Sequence, residues 1–337
     1  MSTSSKDLAD IYQEKTDIEH ILDAPDTYIG SVESDRAKGW TINDENEMRY
    51  RSYEWIGGLY KMFDEGIVNA RDHAVRLMQK ILKKEKNILP VRNIEITVDR
   101  KTGVITMMND GNGVDVAIHP ENKLWIPEMI FGHLRTSTNY KKDEKKIVGG
   151  KNGFGFKLVL IYSKWGIIET VDHIRHKKYV QKFKDNLNII CAPKVTKCYA
   201  KPYTKVSWLP DYKRFGITKI TDDMFNLFKK RTFDIGIITN KSVKVKFNGK
   251  PVLNKSFETY IDSYIGSKSE CKRIYETTHT RWEIAACLSP LDEFTQVSFV
   301  NGINTTKGGK HVDYILNQIV RKMIALIEKR KKIKVKP

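Results

Sequence analysis

The amino-acid sequence predicts an α+β fold in which helices back a mixed β-sheet, followed by a smaller α/β unit. One reason is a long amphipathic helical pattern between Trp55 and Leu82. Another is a series of strand-like segments that alternate with turns beyond residue 165. The third is length, because 337 residues exceed the usual size of one hydrophobic core.

Two helical patterns open the chain. The first covers residues 8–22 and stops before Pro25, since proline disfavours helix in the residue that precedes it. We interpret this pattern as an N-terminal arm or strap. The second places apolar residues at three- and four-residue steps, which predicts one long helix with a buried face. These residues are Ile56, Leu59, Tyr60, Phe63, Ile67, Ala70, Ala74 and Leu77.

A β-hairpin is predicted next, with apolar segments at 91–98 and 104–108 on either side of a turn. Asp110 follows its second strand. The polar segment 135–146 is too long and too charged to be packed, and glycines at 149, 150, 153 and 155 precede an apolar helix. This combination predicts a mobile lid hinged on a helix N-terminus.

Later segments complete the predicted architecture. Strands are expected at 167–171, 204–208 and 243–247, with a helix at 222–230. A second α/β unit is expected from near residue 262. It would contain segments 281–288 and 296–300 and a closing helix at 312–329.

Composition narrows the class of partner. Fifty-nine Lys and Arg against 41 Asp and Glu leave a formal charge of +18, which favours polyanions such as nucleic acids or nucleotides. The four cysteines show no metal-binding or disulfide spacing, which fits a reducing compartment. No run of eighteen apolar residues and no signal core occurs, so we expect a soluble, non-secreted protein without a membrane partner.

The long helix carries a polar stripe of Glu65, Asn69, Asp72 and His73, spaced to lie on one side and expected opposite the core face. Such a stripe is most often only a solvated surface. A carboxylate followed one turn later by a neutral amide can also activate water beside a metal. Glu65 would accept the proton, and Asn69 would offer an oxygen to Mg²⁺.

Two further segments add to this stripe. Asp110 in the run Asn-Asp-Gly-Asn-Gly could accept a hydrogen bond from an exocyclic amine such as that of adenine, although an isolated run of this kind is usually a plain turn. The glycine-rich segment 149–157 offers free backbone N–H groups at a helix start, which suits an anion. It matches neither the Walker A nor the Rossmann pattern, and by itself it could be a generic flexible loop.

In this order, the three segments resemble the GHKL ATPase family, which binds ATP on a helix-backed mixed sheet. Further stretches resemble the N-terminal region of eukaryotic type IIA DNA topoisomerases. The stretches are Ile11 to Thr16, Pro25 to Ser31, Phe63 to Ala70, Thr136 to Tyr140, Ser298 to Asn301 and Gly308 to Tyr314. The resemblance implies a strap at 1–30, an ATP-binding domain at 31–262 and a partial transducer domain at 263–337.

The resemblance also implies roles for individual residues. Glu65 would be the general base, Asn69 the Mg²⁺ ligand and Asp110 the residue that recognises adenine. Tyr12 would reach the nucleotide site of a second subunit, although it could equally be a packing aromatic on its helix. The remaining ATP-binding residues would be His73, Ser137, Thr138, Asn139, Gly150, Lys151, Asn152, Gly153, Phe154, Gly155, Phe156 and Lys157.

Several positions depart from the family pattern. His73 and Asp110 stand where asparagine is usual, Phe156 replaces a small alanine, and Arg71 is unexpected. These differences suggest a divergent source such as a large cytoplasmic DNA virus. The transducer's Gln-Thr-Lys loop is not found, so we expect a piece of a longer enzyme with weak ATP turnover of its own.

The function expected from the resemblance is an ATP-hydrolysing gate. ATP would close two copies into a homodimer around double-stranded DNA, and strand cleavage would reside in a part of the enzyme not found in this sequence. The expected location is the nucleus, or the host cytoplasm if the source is viral. The alternatives are another GHKL ATPase of the MutL or Hsp90 kind, or a non-catalytic basic DNA-binding module.

Overall fold

The computed structural model describes residues 15–134, 136, 155–252, 256–279 and 281–335. The chain forms two compact units, Met1–Tyr264 and Ile265–Pro337. The first unit contains a mixed sheet backed by helices, so the predicted α+β fold is confirmed. No helix in the described ranges is both long and apolar enough to cross a lipid bilayer.

The described part of the chain begins with two short helices, α1 (Asp17–Asp23) and α2 (Pro25–Tyr28). Thr16 caps α1 by accepting a hydrogen bond from the backbone of Glu19, whose carboxylate accepts one from the backbone of Thr16 in return. Helix α1 ends before Pro25, where the sequence predicts that the helix stops, and this proline begins the separate helix α2.

A hairpin of β1 (Ser34–Ile42) and β2 (Met48–Ile56) follows, and the sequence analysis missed it. Most of its residues are exposed or half-buried, so its pattern lacks the clean alternation of apolar and polar residues that signals a strand. Arg51 of this hairpin binds Asp223 at 2.5 Å, which fixes the hairpin to a later helix.

The predicted long helix is α3 (Gly57–Leu82). It lies on the sheet at Gly66, where a Cβ atom would stand 2.7 Å from Met107 Sδ and 3.3 Å from the Trp208 ring. The absence of a side chain at Gly66 therefore lets the helix approach the sheet closely. On its other flank, Phe63 stacks on Phe228 of α6 (Asp222–Ile238) with ring centroids 4.1 Å apart.

In the described part of the chain, the central sheet has the order β11-β10-β3-β4-β9-β5-β6-β7, with β8 also paired to β6. Every pair is antiparallel except β10 with β3, which makes the sheet mixed. The strands are β3 (Asn93–Val98), β4 (Ile105–Asp110), β5 (Ser163–Asp172), β6 (Lys177–Lys184), β7 (Ile189–Ile190), β8 (Lys194–Lys197), β9 (Tyr203–Pro210), β10 (Lys244–Phe247) and β11 (Lys250–Pro251).

The described part of the first unit has three further α-helices. They are α4 (Ile126–Gly132), α5 (Gly155–Ile161) and α7 (Phe257–Ile265). Helix α5 is buried from its second residue onward and packs between α3 and the sheet. Tyr260 of α7 donates a hydrogen bond to Asp234 at 2.6 Å, and Lys230 pairs with the same carboxylate at 2.9 Å.

Over its described residues, the second unit contains two small hairpins and one long helix. Its elements are β12 (Arg273–Glu276), β13 (Ile284–Cys287), β14 (Phe299–Val300), β15 (Ile303–Asn304) and α8 (Lys310–Lys331). At the start of α8, His311 Nε2 lies 3.1 Å from Ser298 Oγ and 3.0 Å from Thr305 Oγ1. These contacts hold the helix start to the last hairpin.

Candidate functional site

Glu65 lies in the first half of α3 with about a fifth of its side chain exposed. Its Oε1 atom is 2.6 Å from Lys61 Nζ, one turn earlier on the same helix. Burial lowers the pKa of Lys61, but the Glu65 carboxylate outweighs burial and the pKa is raised overall. The ion pair therefore fixes the direction of the carboxylate.

Gly155 begins α5 directly beside this carboxylate. A Cβ atom at Gly155 would collide with Glu65 Oε2, so any other residue would force one of the two apart. The order of the motifs along the chain predicts that Glu65 and the glycine-rich segment belong to one site. The structure brings Glu65 together with the end of that segment.

Asn69 and His73 follow Glu65 along α3, and both are partly buried. His73 Nε2 lies 2.7 Å from the carbonyl oxygen of Asn112, so this nitrogen carries the hydrogen. Burial, reinforced by the charge of Arg76, lowers the pKa of His73 to about 4. The imidazole is therefore neutral at physiological pH.

The polar stripe does not lie opposite the core face as predicted. Asp72 is completely buried, and His73 reaches the loop after β4. Glu65 instead lies against Gly155 at the start of α5. The spacing of these residues predicts that they share one side of the helix. Which side of the helix is exposed depends on how the neighbouring elements pack against it.

Asp110 is not brought together with Glu65 and Asn69. Its Oδ1 accepts hydrogen bonds from the backbone nitrogens of Arg92 and Asn93 at 2.6 and 2.8 Å. Its Oδ2 accepts one from Asn93 Nδ2 at 2.6 Å. The carboxylate thus holds the start of β3, and strand alternation turns it away from the face that Met107 presents to α3.

The residue before it, Asn109, lies on the helix-covered face and is 7% exposed. Asn109 pairs directly with Thr204 of β9, and Thr204 pairs with Thr170 of β5. Directly opposed residues on neighbouring strands share a face, so these three side chains form a polar row. The row follows the apolar row of Met107, Val206 and Ile168, and the sequence analysis did not identify it.

Thr170 is fully buried and completely engaged within this row. Its hydroxyl lies 3.0 Å from Thr204 Oγ1 and 3.0 Å from the carbonyl oxygen of Tyr203, and it accepts a hydrogen bond from the backbone of Val114 at 2.9 Å. The signal that could have found the row is the single Thr near one end of each of two apolar strands, Thr170 in β5 and Thr204 in β9. It becomes visible only once the strand register is known.

Phe156 and Lys157, both predicted as ATP contacts, are buried in α5. Phe156 packs edge-on against Phe131 and Trp208, with centroids 5.5 and 5.7 Å away, and belongs to the hydrophobic core. Lys157 Nζ donates hydrogen bonds to the carbonyl and hydroxyl oxygens of Thr136. Burial lowers the pKa of Lys157 to about 8.

Comparison with known proteins adds an independent observation. The fold matches the crystal structure of the ATPase region of Saccharomyces cerevisiae topoisomerase II with a TM-score of 0.86 and 39% identity. The match covers 97% of this chain and 82% of that one. The chain belongs to the type II DNA topoisomerase family. The predicted family resemblance is thereby confirmed.

The sequences of other type II DNA topoisomerases are also similar to this chain. DNA topoisomerase 2 of Acanthamoeba polyphaga mimivirus is 42% identical over 98% of this chain, and that of Arabidopsis thaliana is 41% identical over 98%. A DNA gyrase B family model matches residues 252–337. The chain spans only 26% and 22% of those two relatives, about a quarter of their length.

Several of the predicted nucleotide contacts lie outside the described residues. They are Tyr12, Ser137, Thr138, Asn139, Gly150, Lys151, Asn152, Gly153 and Phe154. Within the described ranges, no three His, Cys, Asp or Glu side chains are placed to share a metal ion. Asn69, the predicted Mg²⁺ ligand, lies four residues after Glu65 on α3 and is partly buried.

Proposed function

We propose that this chain binds and hydrolyses ATP as the gate of a type IIA topoisomerase. The observation that carries the proposal is the contact between Glu65 and Gly155, which brings a carboxylate to the end of a glycine-rich segment. Glu65 would accept a proton from the water that attacks the γ-phosphate. The name of the yeast structural match, an ATPase region, agrees with this chemistry.

Adenine recognition is assigned to Asn109 rather than to Asp110. Asn109 offers an amide that can both donate to and accept from the edge of a purine, and it lies on the same sheet face as α3. The carboxylate of Asp110 is already engaged by three hydrogen bonds. Thr170, which is fully buried and engaged by three hydrogen-bond partners, would support this end of the sheet without contacting the base.

Magnesium fits the donor chemistry around Glu65. The amide oxygen of Asn69 is a hard ligand that adds no negative charge beside phosphates, as Mg²⁺ with its own shell of water prefers. When bound, the ion neutralises charge on the phosphate oxygens. Asn69 would hold it, while Lys61 keeps the Glu65 carboxylate directed toward the reacting water.

Lys157 is assigned an anchoring role instead of a direct phosphate contact. Its ammonium group binds Thr136, and these two residues lie just outside the two ends of segment 137–154. The segment contains the predicted nucleotide contacts Ser137 to Asn139 and Gly150 to Phe154. The Lys157 bond would therefore fix where this segment leaves and rejoins the domain.

For the gate itself, ATP would bring two copies together, with Tyr12 reaching the partner's nucleotide, and would enclose double-stranded DNA. This proposal rests on the relatives, which are named DNA topoisomerase 2. We place the activity inside the cell, in the nucleus or at a cytoplasmic site of viral DNA. The MutL-like, Hsp90-like and non-catalytic alternatives have no comparable support.

Sizing of the purified chain with and without a non-hydrolysable ATP analogue tests the gate. The gate requires the mass to double when the analogue and Mg²⁺ are present. A non-catalytic DNA-binding module would keep one mass with or without nucleotide. A dimer that forms equally well without nucleotide would also contradict the proposal.

A further inference from the structure

A cationic groove lies where the turn between β5 and β6 meets β8, among residues given no role in ATP chemistry. It has a volume of about 380 Å³. Four of its seven lining residues are basic or can become so, and none is acidic. The lining residues are Arg175, His176, Lys177, Val195, Thr196, Lys197 and Tyr199.

Two lysines of this groove lie at directly opposed strand positions, and the neighbours of their ammonium groups are aromatic rings, with Lys177 Nζ 5.7 Å from the Trp125 centroid. Lys177 on β6 pairs directly with Lys197 on β8. Like charges at directly opposed positions destabilise a sheet. Among the described residues, neither lysine has a carboxylate within ion-pair distance, whereas Arg175 is paired with Asp115 at 2.5 Å and Asp172 at 2.8 Å.

Protection of a sheet edge accounts for only one of the two lysines, Lys197, because among the described strands β8 pairs with β6 alone. Lysines on edge strands commonly block unwanted strand pairing. Lys177, however, belongs to β6, which lies between β5 and β8 along this stretch. An anion from outside the chain would relieve the repulsion between the two ammonium groups.

Tyr199 supplies an aromatic edge to the same groove and is 70% exposed. His176 packs against it at 4.8 Å, and Lys197 Nζ lies 5.3 Å from its ring centroid. A hydrogen bond of 2.8 Å from the Cys198 backbone to the His176 carbonyl holds the two segments together. His176 and Lys197 already pack against the Tyr199 ring. The Tyr199 hydroxyl is therefore more available to a ligand than the faces of the ring are.

We propose that this groove binds the sugar–phosphate backbone of duplex DNA. Lys177 and Lys197 would contact phosphate oxygens, and the Tyr199 hydroxyl would donate a hydrogen bond to one of them. The net charge of +18 attracts the same polyanion to the whole molecule. The inference rests on the proposed topoisomerase function, since that function makes duplex DNA the natural partner.

The salt dependence of DNA binding tests this site. Fluorescence anisotropy would measure the affinity of the full chain for a labelled 30-base-pair duplex between 50 and 200 mM salt. The double variant Lys177→Gln/Lys197→Gln should reduce the slope of log K against log salt by about 2. The ratio of wild-type affinity to variant affinity should be about 12 times larger at 50 mM salt than at 200 mM salt.

The matched control is Lys213→Gln/Lys219→Gln, which removes the same charge from two exposed lysines outside the groove. Its slope should equal that of wild type. An equal slope for the groove variant, or no duplex binding by wild type, would overturn the proposal. So would preference for a single-stranded competitor that is lost in Tyr199→Leu, because that result would indicate base stacking.

Nucleotide binding is measured on the same samples with a fluorescent ATP analogue. Both double lysine variants should bind it as wild type does, which shows that they are folded. Failure of the wild-type chain to bind the analogue would refute the proposed ATPase function. It would not affect the result for the groove. The two proposals can therefore fail separately.

Discussion

Asn109 and Asp110 are adjacent in sequence but lie on opposite faces of β4. Replacing Asn109 with Ala should weaken ATP-analogue binding about tenfold, the value of one hydrogen bond of about 1.4 kcal/mol. Replacing Asp110 with Ala should leave that affinity nearly unchanged but cost about 1–3 kcal/mol of stability, since two backbone N–H groups lose their acceptor. Calorimetric titration and urea unfolding separate these effects. The reverse pattern would restore Asp110 as the residue that recognises adenine.

His73 should make stability depend on pH. Its folded-state pKa of about 4 lies below the ordinary value, so the unfolded chain takes up a proton at higher pH than the folded chain does. Its contribution is constant above pH 7 and is lost as the pH falls from about 6.5 to 4. Between pH 7 and 5 the loss should be about 2 kcal/mol.

Urea unfolding of wild type and His73→Asn at the two pH values checks this prediction. The difference between the proteins isolates His73 from the other titrating groups. If the free energy of unfolding of wild type falls no more than that of the variant between pH 7 and 5, the imidazole can be protonated in the folded state.

At the scale of elements, helix α5 must begin with glycine to lie beside Glu65. Gly155→Ala should reduce ATP turnover at least tenfold, because its Cβ would displace the base from the reacting water. The control Gly57→Ala changes the first residue of α3, where the nearest atom would be 3.8 Å away. Measuring the steady-state ATP turnover of both variants checks the prediction. Equal turnover rates for Gly155→Ala and Gly57→Ala would contradict a role for the contact between Gly155 and Glu65.

Sequence periodicity predicted α3 and most of the sheet correctly because their apolar residues recur at helical or strand spacing. It missed the β1–β2 hairpin, whose faces are both partly exposed. The Asn-Asp-Gly-Asn-Gly run suggested Asp110 as the residue that recognises adenine, and it does not reveal which residue lies on the strand face that meets the helix. Register and neighbouring elements determine that face, and neither is encoded locally.

At the scale of the molecule, every described residue of the proposed ATP site lies in the unit Met1–Tyr264. An ATP analogue at 100 times its Kd should therefore stabilise that unit by about 2.7 kcal/mol. Differential scanning calorimetry should show its transition shifting upward, while any separate transition of Ile265–Pro337 stays in place. A shift confined to the second unit would contradict this assignment.

The central claim is that Glu65 acts as the base in an ATP site formed with Asn69, the polar row and the glycine-rich segment. Its most direct test compares analogue binding and ATP turnover in Glu65→Gln, which keeps the shape of the side chain but removes the base. Binding should stay within about threefold of wild type while turnover falls by about 10²-fold or more. Turnover equal to wild type would contradict the account.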